Sequence, residues 1–399
     1  MTLKDLFSQF RHLLLPTIDQ IGELRNFETL KIDLLAGITV ALVLVPQSMA
    51  YAQLAGLPAY YGLYASFLPP MIAAIFGSSR QLATGPVAVV SLMTAASLEP
   101  IVALGSEGFL IYATILAIMV GVFQLTLGVF RLGVLVDFLS HPVVVGFTAA
   151  GAIIIGTSQL GKLFGVTVEK SVHHYETVYH MVQAALTNTH WPTLIISVLS
   201  FVLIVGLRKW RPNLPVVLIA VAITTLISKM LGYADFGGAI VGDIPKGLPK
   251  FSIPEINLDI IMQLATSAVV ISLVGFMEAI SIAKAMAART RNRLDANQER
   301  VGQGLSNIAS GRCSGYPVSG SFSRSADNIH AGARTGFSSL VTGIVVGLTL
   351  LFLTPLLYHL PQATLAAVII MAVLGLIKFE PIKHAWKAEK HDGIVAVVT

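Results

Sequence analysis

Apolar runs of about twenty residues, the length that crosses a bilayer as a helix, recur along this 399-residue chain from residue 32 almost to its end. Such a chain must satisfy every backbone N–H and C=O inside the hydrocarbon, which leaves only helices and closed barrels. The runs are continuous and do not alternate with period two, so helices are expected. Composition agrees: mean hydropathy is +0.77, with 55% hydrophobic and 12% charged residues, outside the range of soluble domains. The single cysteine, Cys313, excludes an internal disulfide. Residues 1–20 are too polar for a cleavable signal and lack its small-residue cleavage site. The net charge of +5 is read through membrane topology rather than through nucleic acid.

The runs predict spans at 32–55 (interrupted by Pro46), 61–76, 109–130, 142–163, 192–207, 214–231, 258–287, 336–358 and 361–377. Residues 1–31 read as a cytoplasmic lead-in and 173–186 as a polar, aromatic surface segment. Residues 232–257 form a polar connection, and 299–309 a short, weakly apolar segment. An amphipathic surface helix is expected at 378–390, before a last apolar run at 393–399. Two stretches fit no full span. One, at 84–98, is led by Thr84-Gly85-Pro86, and the other, at 314–335, by Tyr316-Pro317; each predicts an extended piece followed by a half-helix. With both counted as crossings and the N-terminus inside, Arg80, Arg131, Arg208, Lys209, Arg289, Arg291, Arg293 and Arg334 all fall on the cytoplasmic side.

Ile32 and Leu258 open the first and eighth spans, and Pro86 and Pro317 lead the broken stretches. The two pairs are separated by nearly the same length of chain, which predicts one unit used twice. An odd number of spans per unit makes the copies inverted, and matched broken segments in such halves mark a transporter's binding site. The expected organisation is a lead-in at 1–31, a first repeat at 32–231, the connection at 232–257 and a second repeat at 258–399. By the same spacing the second repeat is expected to need roughly two further spans.

A half-helix in a membrane offers free N–H groups and the positive end of its dipole, an anion site by construction. Arg324 begins the second half-helix, with Ser319, Ser321 and Ser323 around it as hydroxyl donors. The guanidinium either faces a cavity or snorkels to the membrane edge. Glu278, inside the eighth apolar span, is a proton relay or a fixed partner of Arg324. Burial favours its neutral form and Arg324 its charged form, a balance that makes it switchable. Gln47 and Tyr51 share a helix face, where they line a cavity or join neighbouring helices. His173, His174, Glu176 and His180 have loosely metal-like spacing that a solvated helix explains better, so no metal is expected. Gly343 and Gly347 suit close helix packing. No phosphate loop, nucleotide fingerprint or nucleophile elbow stands in a supporting context, so no enzyme activity or cofactor is expected.

Residues 45–93, VPQSMAYAQLAGLPAYYGLYASFLPPMIAAIFGSSRQLATGPVAVVSLM, closely resemble the signature of the SulP sulfate-permease family, which includes plant sulfate transporters, pendrin and prestin. GFMEAISIAKAMA (275–287) and PVSGSFSRSADNIHAGART (317–335) resemble its eighth and tenth spans. The resemblance implies an all-α multi-span protein of two inverted seven-segment repeats, like uracil permease, with half-helices at segments 3 and 10 and a core domain moving against a gate. It implies an anion held among Gln47, Tyr51, Pro86, Val87, Ser323 and Arg324, and suggests Glu278 as the coupling carboxylate of proton-driven members. Relative to that family, the last segments and the cytoplasmic STAS domain are missing, and a homodimer is expected of the full-length protein. The expectation is proton-coupled symport of sulfate or a related oxyanion across the cell inner (plasma) membrane. Sodium-coupled bicarbonate or proton-coupled C4-dicarboxylate transport, anion exchange, an uncoupled channel and an anion-sensing scaffold are the alternatives.

Overall fold

The computed structural model describes residues 20–375 apart from 21, 104–105, 132–140, 169–170, 172, 212–213, 252–253 and 255–256. Most of the lead-in, the surface helix at 378–390 and the run at 393–399 lie outside the described residues. The described chain is almost wholly helical, and five of its helices are long and apolar enough to span a membrane. By internal contacts it forms two compact units, each assembled from two separate stretches of sequence.

One unit comprises Met1–Phe138 with Gly247–Leu351. It opens with α1 (Phe27–Leu54), whose first turn is capped by Asn26, the side chain accepting from Glu28 N–H. The helix runs straight through Pro46, so the expected interruption is not there. A proline removes one hydrogen bond, but the surrounding apolar residues hold the helix together. α2 (Tyr60–Phe76) follows, then β1 (Ala83–Gly85), the half-helix α3 (Ala88–Leu98) and α4 (Glu107–Val129). Proline disfavours helical backbone at the residue before it, and Pro86 accordingly keeps Gly85 extended ahead of α3.

The later stretch of this unit repeats the plan. α10 (Leu258–Thr290), capped by Asn257, stands where α1 stood, and β2 (Ser319–Ser321) and the half-helix α12 (Phe322–His330) mirror β1 and α3. Between them lies α11 (Ala296–Arg312), capped by Asp295, whose carboxylate accepts from Asn297 and Gln298 N–H. This helix corrects the short segment expected at 299–309. It is long and packs between α2 and α4, and its polar residues, which hid it from a hydropathy reading, are largely buried. The last element is α13 (Phe337–Leu348), which passes into a π-helical turn at Thr349–Leu353. A Cβ on Gly343 would lie 2.3 Å from Met71 Cγ, so glycine here lets α13 close on α2.

The other unit comprises Leu139–Lys246 with Phe352–Thr399. Its elements are α5 (His141–Ser158), α6 (Leu160–Phe164), α7 (His174–Asn188), α8 (Trp191–Trp210), α9 (Val216–Met230), α14 (Thr354–Leu357) and α15 (Gln362–Leu374). The fifth expected span is thus two helices, α6 ending where Gly165 takes a left-handed φ of 68°. α8 shows what faces lipid. Ile195, Val198, Val202 and Val205 are exposed along it and Trp191 and Trp210 are exposed at its ends. Twenty residues of helix are about 30 Å long, the hydrocarbon thickness, and tryptophans at both ends suit the two interfaces.

Candidate functional site

The two broken segments meet. β1 and β2 pair antiparallel, with Ala83 opposite Ser321, Thr84 opposite Gly320 and Gly85 opposite Ser319. α3 and α12 begin from opposite ends of this three-residue pair, α3 shortly after Gly85 and α12 directly after Ser321. Neither is capped by a side chain, like α2, α8, α9 and α15 and unlike α1, α4, α10 and α11. The N-cap residues are Val87 and Ser321, both extended and both buried. The first N–H groups of an α-helix have no intrahelical partner, and each half-helix turns the positive end of its dipole to this pair of strands.

Arg324, in the first turn of α12, is fully buried, which excludes snorkelling. Its Nη1 donates to Gln47 Oε1 at 2.9 Å, while Nε and Nη2 have no hydrogen-bond partner. The backbone of β1 comes close: a Cβ on Gly85, whose φ is +156°, would sit 3.4 Å from Nη2. Pro86 and Val87, both buried, continue that wall into α3. Tyr51, one turn after Gln47 on α1, is buried and within electrostatic reach of Arg324 and Glu278.

Glu278, on α10, interacts through space with Arg324, yet the two make no ion pair with each other and Glu278 Oε2 is buried without a hydrogen-bond partner. A fixed structural pair is thus not what the fold builds. The serines divide. Ser321 and Ser323 lie with their hydroxyl oxygens 3.4 Å apart beside Arg324 in sequence. Ser319 does not join them: its hydroxyl donates to Gly275 O at 2.6 Å, which corrects its expected place as a ligand donor. Ser325, overlooked in the sequence, accepts from Ala83 N–H at 2.9 Å and donates to Ser321 O at 2.6 Å, stapling α12 to β1. Tyr316, also overlooked, is fully buried, receives a hydrogen bond from Ser91 on α3 and stands within electrostatic reach of Arg324. A tyrosine beside a proline reads as turn punctuation, so nothing in the sequence marked it. On α7 in the other unit, His173 stacks on Tyr175 and His174 pairs with Thr157, so these two imidazoles turn to different partners.

The profile of the Sulfate permease family matches residues 30–399. The chain belongs to this family. Among the chain's relatives, the probable sulfate transporter 4.2 of Arabidopsis thaliana is 42% identical over 377 residues, 92% of this chain and 55% of the plant protein. A probable sulfate transporter of Mycobacterium tuberculosis is 36% identical over 394 residues, 97% of this chain and 70% of that one. The chain thus spans a little over half the length of its plant relatives. Two solved structures share the fold of this chain. Murine Solute Carrier 26 family member A9, an anion transporter in the inward-facing state, superposes with a TM-score of 0.89 at 26% identity, covering 100% of this chain and 68% of that one. The transmembrane domain of the cyanobacterium bicarbonate transporter BicA gives 0.81 at 25% identity, covering 94% and 95%. The fold is therefore the inverted-repeat membrane fold, with β1–α3 and β2–α12 as its matched broken segments.

Proposed function

We propose that this chain is the anion-translocating membrane part of a secondary active transporter that carries sulfate or a related oxyanion by proton-coupled symport and alternating access. The observation that carries the reading is the pair of uncapped half-helix N-termini around a buried arginine with two unpaired nitrogens. Two converging dipoles and a guanidinium balance an anion's charge, and N–H groups and hydroxyls replace its hydration. Gln47 holds one side of the guanidinium, leaving Nε and Nη2 for the anion. Glu278 is the proposed proton carrier. While ionised it competes electrostatically for Arg324; once protonated it leaves the guanidinium's charge to the substrate, and deprotonation on the far side reverses this. The relatives' names as sulfate transporters support the substrate class. The same proposal includes repeats at 32–231 and 258–399, a cytoplasmic N-terminus in the cell inner membrane, and a homodimer of the full-length protein.

Uptake of labelled sulfate into proteoliposomes tests both parts. Arg324→Ala abolishes sulfate binding on this reading; unchanged affinity would move the site elsewhere. Glu278→Gln flattens the pH dependence of uptake, and an unaltered pH profile would remove proton coupling. Bicarbonate is the second substrate reading, favoured by the likeness to almost the whole BicA domain. Competition between the two anions, with and without sodium or a proton gradient, separates them, and currents without any gradient would mark a channel.

A further inference from the structure

A span broken inside the bilayer leaves backbone groups that water cannot serve, and each must find a partner. The β1–β2 pair satisfies only the edges that face each other. Beyond it, several backbone and side-chain groups on and beside the two strands are met by one face of α11, from residues 299, 303, 307 and 310, whose steps of four, four and three keep to a single helical stripe.

Each rung ends on a broken segment. Glu299 accepts from Ser78 and Ser79 N–H at 2.9 and 2.8 Å, just ahead of β1. Gln303 Nε2 donates to Thr84 Oγ1 in β1 at 2.8 Å and to Glu299 Oε1 at 3.1 Å. Asn307 treats the residue before β2 as a neighbouring strand would: its Oδ1 accepts from Val318 N–H at 2.8 Å and its Nδ2 donates to Val318 O at 3.0 Å. Gln124 on α4 braces that amide at 3.0 Å. Ser310 Oγ donates to Tyr316 O at 2.6 Å. All four rungs are buried, and none is a hydrogen-bond partner of Arg324.

We infer that this face of α11 is the positioning element of the anion site, with Gln303 setting the first repeat's strand and Asn307 the second's. The two side chains are one turn apart on one helix, about 6 Å along its axis, so the offset between the strands, and hence between the half-helix N-termini, follows the rise of α11. The inference rests on reading Arg324 and the half-helices as the substrate site. Gln303 and Asn307 are positioning residues; they act on the anion only through the strands they hold.

The test is sulfate uptake by the full-length protein in proteoliposomes, with KM and maximal rate per folded molecule measured separately and Tm recorded in detergent. Gln303→Leu and Asn307→Leu are expected to raise KM about tenfold or more, since small misplacements of a binding group are costly. Thr84→Val reproduces the Gln303→Leu shift, and combining the two adds little to either. Ser306→Ala is the control. Its hydroxyl donates to Pro69 O at 3.0 Å on α2, away from both strands, so its loss lowers Tm and leaves KM unchanged. Where a leucine variant does not fold, Thr84→Val and Ser310→Ala, each removing one hydrogen bond, carry the same test. Loss of stability across the series with KM unmoved, or additive effects of Thr84→Val and Gln303→Leu, overturns the assignment. Arg324→Ala in the same preparation separates the two readings. If it abolishes binding while the α11 variants leave KM alone, only the positioning role falls; if it too is silent, the substrate site itself is misplaced.

Discussion

Gly85 lies beside the guanidinium, with a φ that a side chain rarely adopts and a Cβ position 3.4 Å from Arg324 Nη2 and 3.5 Å from Leu44 Cδ1. Gly85→Ala is therefore expected to cost about 1 kcal/mol or more in backbone strain and to weaken sulfate binding beyond what the loss of stability explains. Equilibrium binding beside a thermal melt separates the two effects. At this scale the sequence reading was good for groups that contradict their surroundings. Gln47, Tyr51 and Glu278 are polar in apolar helices, and the fold brings them within hydrogen-bonding or electrostatic reach of Arg324. It was poor where several identical groups lie close together. Ser319, Ser321, Ser323 and Ser325 straddle a change from strand to helix, so neither a period of two nor one of 3.6 shows which hydroxyls turn to the backbone. Only the structure shows Ser319 spent on Gly275 O and Ser325 on Ser321 O.

Two helices of this protein begin at a broken segment without a side-chain cap, and the proposed function depends on that omission. Supplying one is a test. Ser321→Asp places a carboxylate at the N-cap of α12, where it accepts from the N–H groups of the helix's first turn and faces Arg324. Capping by aspartate is worth about 0.5–2 kcal/mol to a helix, so Tm is expected to hold or rise while sulfate affinity falls at least about tenfold through occupation of the same donors. A drop in Tm with affinity intact would refute the idea that these N–H groups serve the anion. The broken segments themselves were legible, because the apolar run after Gly85-Pro86 is too short for a span and Tyr316-Pro317 opens a Gly- and Ser-rich stretch; a proline alone leaves α1 continuous at Pro46. α11 was not legible. Its Asn, Gln, Glu and Ser lower its hydropathy below that of a span, and their partners lie on both broken segments, Val318 shortly after Asn307 and Thr84 far before Gln303 in sequence.

For the molecule as a whole, the approximate boundaries of the apolar helices were readable from hydropathy, while their grouping into units was not. Each unit draws on both repeats, and no local pattern reports which distant helix a given one packs against. Orientation is open to a direct test. With the native Cys313 buried, single cysteines placed at Lys209 and Lys246 should label with an impermeant maleimide from opposite sides, Lys209→Cys from the cytoplasm and Lys246→Cys from outside. The reverse pattern would invert the topology.

The β1–β2 pair has a consequence for biosynthesis. Ala83 finds Ser325 and Ser321 only after the ribosome has made the second broken segment, 242 positions later in the case of Ser325. At about 5–20 residues per second the first broken segment stays unpartnered for tens of seconds. During that interval its backbone cannot remain bare in lipid, so residues 83–98 must wait in the insertion machinery, at the interface or on a temporary protein partner. Final assembly of the permease fold is thus a late event in synthesis, and the second repeat completes the first.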